Sequence, residues 1–253
     1  MLKRLVLFTL LLTVMAFSAV SAQTVDEILD KYVEARGGMD ALKQVESAKY
    51  YGHTSMQGMD VPGVMYVKRP DKMRLEITIQ GQTMIQAFDG ETGWYISPFM
   101  GKTTPEKMTP EDTDEIREMA DIEGPLVNPE EKGHTVELIG KEDMEGSPVY
   151  KLKLTKKNGD VDYVYLDGEY YLELKRTAKR TRQGAEIEVE SYSSDYKEVN
   201  GLMIPHSMEN KMGGQTVMQY NIDSIQFNID IPDTLFAMPE VPEAAPDSAD
   251  AGE

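Results

Sequence analysis

The chain contains no cysteine, one tryptophan and three histidines. Without a thiol there can be no disulfide, no thiolate metal site and no N-terminal cysteine to carry the acyl groups of a lipoprotein. His53, His134 and His206 are scattered and show no metal-ligand spacing, so each reads as an ordinary strand or surface residue. Positive charge is also in short supply, with 26 Lys and Arg against 44 Asp and Glu and a net charge of −18. Binding phosphates requires clustered Lys and Arg, which argues against nucleic acid as a partner. A nucleophile elbow, a phosphate loop and a Gly-rich dinucleotide fingerprint are all missing, and carboxylates are too abundant for any pair to mark a glycosidase. The expectation is a protein with no catalytic residues, no metal and no cofactor.

Long apolar runs are absent after residue 22. Before it, Lys3 and Arg4 precede an almost wholly apolar stretch from Leu5 to Phe17, and Val20-Ser21-Ala22 ends in small residues. The run is short for a bilayer span of about 20 residues. It reads as a secretory signal, 1–22, cleaved after Ala22, which sends the rest to the periplasm. Loss of Lys3 and Arg4 takes the net charge from −18 to −20, a solvated acidic surface. At the other end, Pro239 to Glu253 is rich in Pro, Ala, Asp and Glu with no apolar period and is expected to be a disordered tail.

Between these ends the pattern changes once. Thr24-Val25-Asp26-Glu27 is a capping box, and Val25, Ile28, Leu29, Tyr32 and Val33 recur at helical spacing until Gly37-Gly38. A short helix over about Asp40 to Val45 follows. After Ser47 the period becomes two. Met73, Leu75, Ile77 and Ile79 alternate with Lys72, Arg74, Glu76 and Thr78. Tyr150, Leu152 and Leu154 alternate with Lys151, Lys153 and Thr155, and Ile187 and Val189 with glutamates. This is the signature of antiparallel strands with one wet face. Asn158-Gly159 and Asn200-Gly201 mark hairpin turns in which both residues can take positive φ. About ten or eleven strands are expected. One helix interrupts them, capped by Thr109, opened by Pro110 and running to about Asp121, so that Pro98 to Pro129 reads as a helical flap.

Methionine is over-represented, with fifteen left after the signal. Met suits surfaces that must fit varied apolar partners, although most are plain core residues. Met65, Met73 and Met84 fall in the strand-rich first half. Trp94 and Phe99 add aromatic bulk beside the flap.

The stretch Tyr66-Val67-Lys68-Arg69-Pro70-Asp71-Lys72-Met73-Arg74 resembles the strand–Arg-Pro–strand segment of the periplasmic lipoprotein carriers of the LolA family. The resemblance continues through Ala87-Phe88-Asp89-Gly90 and Gly93-Trp94-Tyr95-Ile96-Ser97-Pro98-Phe99. Tyr165-Leu166-Asp167 and Phe236 fit the wider family of outer-membrane lipoprotein-sorting proteins. The order of elements matches over roughly 24 to 238, and the specific part is Val64 to Phe99. The resemblance implies a mostly β fold, an eleven-stranded half-open antiparallel barrel with a helical lid over an apolar cavity, occupying 23–238. It implies that Arg69 bonds lid backbone carbonyls and locks the empty cavity shut. Met65, Met73, Leu75, Ile77, Ile79, Met84, Trp94 and Phe99 would line the cavity.

Two classes of function follow. In one, a monomeric carrier takes lipoprotein acyl chains or a similar lipid from an inner-membrane donor complex to an outer-membrane acceptor. In the other, a sensor or scaffold of the envelope uses the same cavity to control a protein partner. The longer chain and the acidic tail set this sequence apart from the best-known carriers and leave the cargo open. The tail has almost nothing to bury. Deleting Pro239 to Glu253 is therefore expected to leave the melting temperature nearly unchanged, and a fall of many degrees would show that the tail docks.

Overall fold

The computed structural model describes residues 23–56, 58–182 and 185–240. The expected signal, 1–22, and all of the expected tail except Pro239 and Glu240 lie outside the described residues. Two helices open the fold, α1 (Val25–Ala35) and α2 (Met39–Lys43). Thr24 caps α1 reciprocally, its hydroxyl accepting from the Glu27 amide while Glu27 accepts from the Thr24 amide. Gly37 and Gly38, at φ 112° and 86°, end the helix.

Six strands follow: β1 (Ser47–Met56), β2 (Met59–Lys68), β3 (Lys72–Ile79), β4 (Gln82–Phe88), β5 (Gly93–Ser97) and β6 (Lys102–Lys107). Helix α3 (Pro110–Ala120) then leads to seven more: β7 (Thr135–Met144), β8 (Ser147–Thr155), β9 (Val161–Asp167), β10 (Glu173–Arg182), β11 (Ala185–Val199), β12 (Leu202–Met212) and β13 (Gln215–Phe227). The thirteen strands form one antiparallel sheet in the order β6-β5-β4-β3-β2-β1-β13-β12-β11-β10-β9-β8-β7. It is open, with β6 and β7 as its two edges. The count exceeds the expected ten or eleven. One reason is β6, whose sequence Lys-Thr-Thr-Pro-Glu-Lys carries no apolar alternation and falls inside the expected flap. Its proline is tolerated because an edge strand leaves one side of its backbone unpaired.

The sheet curls. Helix α1 lies against β7 and helix α3 against β3, β4 and β5, near opposite ends of the strand order. Yet Ile28 and Tyr32 of α1, Ile116 and Ala120 of α3, Met73, Phe88, Leu152 and Val164 pack into one buried cluster. Register shifts at Tyr51/Gly52, Glu173/Lys175, Asn210/Lys211 and Leu138/Gly140 supply local bends. The helices therefore sit on the concave face.

The convex face of the first half is covered by a segment that follows β13. Residues 231–236 run across β2 to β5. Lys68 donates to the Ile231 carbonyl at 2.7 Å, and Lys68 and Lys72 pair with Asp233 at 2.7 and 2.8 Å. Arg74 donates to the Leu235 carbonyl at 3.0 Å. The Trp94 indole N–H donates to the Phe236 carbonyl at 2.7 Å, and both rings are fully buried. Phe236→Ala should therefore cost about 3–5 kcal/mol of unfolding free energy. Urea denaturation followed by the emission of the single tryptophan reads this directly. A loss below about 1 kcal/mol would mean that the C-terminal segment does not hold Trp94 in place.

Candidate functional site

Directly opposed residues in antiparallel strands point to the same face. The register pairs Met65 with Leu75, Met73 with Phe88, and Gly63 with Ile77 and Ile77 with Met84. Met65, Met73, Leu75, Ile77, Ile79 and Met84 therefore share the concave face. The helices divide them. Met65, Met73 and Leu75 belong to the cluster under α1 and α3, whereas Ile77, Ile79 and Met84 lie farther along the same strands. The two aromatic candidates are elsewhere. Trp94 pairs with Ala87, which pairs with Arg74, so it stands on the convex face beneath the C-terminal segment. Phe99 sits in the turn between β5 and β6 and is 49% exposed.

The second half of the sheet adds residues that the sequence reading did not single out. Thr54 of β1 faces Tyr220, Tyr220 faces Met208, and Met218 faces Asn210. The signal for them was present, because Leu202, Ile204, His206 and Met208 alternate along β12. Beyond the helices the concave face thus carries methionines from both halves of the chain, Met84 from the first and Met208 and Met218 from the second.

The roof is the connection from β6 to β7. Thr109 caps α3 by accepting from the Asp112 amide at 3.1 Å, and Arg117 lies over the Phe88 ring at 5.2 Å. Gly93 lets the helix approach, since a Cβ there would come within 2.9 Å of the Thr113 hydroxyl.

After α3 the chain turns through residues 121–124, where three cations grip it. Arg69 donates from Nη2 to the Glu123 carboxylate at 3.0 Å. Arg36, lying over the Tyr32 ring, donates to the Glu123 carbonyl. Lys132 donates to Asp121 at 2.6 Å and to the Gly124 carbonyl at 2.8 Å. The Glu123 side chain is only 13% exposed. This corrects the expected role of Arg69 in detail. Its two carbonyl partners are Val45 at 2.7 Å and Leu42 at 2.9 Å, at the end of α2, and not flap carbonyls. It reaches the roof through the Glu123 side chain, while Arg36 and Lys132 take the roof carbonyls. The fork of the guanidinium still does two jobs at once, backbone carbonyls at and just past the end of α2 on one side and a carboxylate on the other.

A second grip holds the outer end of α3. Lys156 bridges Glu118 of α3 at 2.6 Å and Asp162 of β9 at 2.9 Å. Asp162 is fully buried, and its other oxygen accepts from Arg180 at 2.9 Å. Arg176 stands 3.7 Å away and is itself paired with Glu173. Burial alone would push the Asp162 carboxyl up. Lys156, with Arg180 and Arg176 behind it, outweighs burial and holds it below the ordinary carboxylate value. Among the described residues no group of three or more His, Asp or Glu side chains is placed to hold a metal ion. No helix among them is long and apolar enough to cross a membrane.

Removing one partner of a buried charge cluster costs about 3–5 kcal/mol, so Asp162→Asn should destabilise the protein by that amount at neutral pH. The folded pKa lies below the unfolded value. The stabilisation is therefore full above the unfolded value of 3.8 and is lost as pH falls through the folded value. The gap between wild type and variant in urea melts should shrink in acid, and a gap independent of pH would contradict this assignment.

No family model matches this sequence, and no curated protein matches it either. Solved structures do match in fold. A LolA superfamily protein from Nitrosomonas europaea is 15% identical, with a TM-score of 0.57 over 85% of this chain and 98% of its own. A DUF1329 family protein from Desulfovibrio piger is 11% identical, with a TM-score of 0.60 over 85% and 98%. A domain described as an outer membrane lipoprotein-sorting protein, from Vibrio parahaemolyticus, is 12% identical, with a TM-score of 0.55 over 84% and 97%. At these identities the likeness speaks for the fold, and in fold the chain is LolA-like: an open, curled antiparallel sheet with its helices laid on the concave face.

Proposed function

We propose that this protein is a periplasmic carrier that receives the acyl chains of a lipoprotein, or a similar lipid, on its concave face and passes them toward the outer membrane. The observation that carries the reading is an apolar concave face, with Met65, Met73 and Leu75 under a chain crossing that side chains fasten, with no strand pairing to fix it. Such a roof can lift without breaking the sheet. Burying acyl surface at about 25 cal/mol per Å² drives loading. The contacts of the closed, empty state offset part of that gain, so cargo can leave again. No bond chemistry and no cofactor enter this cycle. The signal-like segment 1–22 supports an exported protein; an inner-membrane donor and an outer-membrane acceptor are the partners such a carrier would need. The lipoprotein-sorting description of the Vibrio structure agrees with this cargo.

Arg69 is the residue on which the closed state turns. Without it, Glu123 keeps Lys132, at 3.9 Å, as a cation for its carboxylate, the Val45 carbonyl loses its side-chain donor, and the Leu42 carbonyl keeps the Val45 amide at 3.3 Å. Charge-assisted bonds of this kind contribute about 1.5–3 kcal/mol each. Arg69→Leu should therefore load an acylated peptide readily and release it poorly, and Arg69→Lys should rescue only in part because an ammonium cannot fork. The measurement is transfer of a labelled acylated peptide to acceptor vesicles at equal loading, with folding checked by circular dichroism. Equal release by wild type and Arg69→Leu would remove the locking role. Saturable binding of an apolar fluorophore that no acylated peptide displaces would overturn the carrier and favour a sensor.

A further inference from the structure

One polar atom on the concave face is out of place. The Tyr220 hydroxyl is buried and makes no hydrogen bond. A buried donor left unpaired is costly, and few exist in native proteins, so each calls for an explanation. Tyr220 lies between Thr54 of β1 and Met208 of β12, two residues from Ile222. Thr54 and Ile222 are buried, and Tyr50 lies near enough to act on Tyr220 electrostatically. Burial pushes both phenols up to about 12, so each is a neutral O–H at any pH of the envelope. Flexible thioether side chains at Met65, Met84, Met208 and Met218 share this face and can rearrange around an entering chain.

We infer that the Tyr220 hydroxyl is a hydrogen-bond donor to the carbonyl of an acyl ester or amide, and so selects an acylated head over a bare hydrocarbon. The inference rests on the carrier reading and adds to it the chemistry at the head of the chain. A free carboxylate fits poorly. The charge that acts on Tyr220 is the carboxylate of Asp223, which would repel an anion, while the Arg36 cation acts on Tyr50 and not on Tyr220. An ester or amide carbonyl needs only one donor and brings no charge to desolvate.

The test compares wild type with Tyr220→Phe, displacing an apolar fluorophore with a long-chain methyl ester, the free fatty acid and an alkane of equal length. Wild type should bind the ester more tightly than the acid. The substitution should weaken the ester roughly three- to tenfold and leave the alkane unchanged. The melting temperature should hold or rise, because the lost hydroxyl had no partner. An isotope-labelled ester carbonyl should absorb at lower infrared frequency in wild type than in the variant. Equal carbonyl frequencies, a proportional loss for ester and alkane, tighter binding of the acid, or a marked fall in melting temperature would each overturn the assignment while the carrier stands. If none of the three ligands displaces the fluorophore from wild type, the carrier reading fails and this inference with it.

Discussion

The pairing of β1 with β13 is the constraint on which the rest depends. Every other neighbour in the sheet is also a neighbour in sequence. Two meanders, β1 to β6 and β7 to β13, are joined only because the first strand lies antiparallel to the last, with Ala48 opposite Phe227 and Ser55 opposite Gln219. That one non-local contact sends β6 and β7, consecutive in the chain, to opposite edges. At about 4.8 Å per strand they are on the order of 55–60 Å apart along the sheet. The connection between them has to cross the curled sheet from edge to edge, and the short path lies over the concave face. The roof follows from the topology.

What holds that roof follows in turn. It cannot join the sheet, so it is fastened by side chains. Ile116 and Ala120 supply apolar contact below, and cations from both halves grip the acidic groups at its end. Arg36 and Arg69 come from the N-terminal side and Lys156 from the C-terminal side, while Lys132 lies in the crossing itself and braces its turn from within. The ionic contacts are short-ranged and made by few residues, whereas the sheet beneath is a continuous ladder. A lid fastened by side chains alone, with Ile116, Ala120, Leu126 and Val127 buried beneath it, on a scaffold of continuous strand pairing can open without unpairing a strand.

Much of this was legible in the sequence, and the gaps have physical reasons. The capping box of α1 and the Asn200-Gly201 turn, with φ of 52° and 82°, are local and form as read. In Asn158-Gly159 only the glycine takes positive φ, because the Asn158 side chain accepts from the Asp160 amide and closes a longer loop. Strand β6 was hidden because a polar edge strand has no apolar period to display. Trp94 stands on the convex face and not in the cavity wall for a different reason. Period two says that neighbours alternate, but which of them points inward depends on the register with β4 and on a covering segment 142 residues away. Arg69 stood out by its setting, but its partners lie 24, 27 and 54 residues away. Nothing local marks Glu123 among 44 acidic residues.

The central claim is that the crossing segment moves off the concave face when a lipid enters. The absence of native cysteine makes the direct measurement simple, because spin labels placed on two introduced cysteines report without background. Met119 on α3 and Tyr170 in the turn between β9 and β10 are exposed, at 50% and 65%, and suit Met119→Cys and Tyr170→Cys. Electron–electron distance measurement on the doubly labelled protein should give one narrow distribution without ligand. With a bound acylated peptide it should shift to longer and broader distances. An unchanged distribution, with the peptide shown to be bound, would contradict the account.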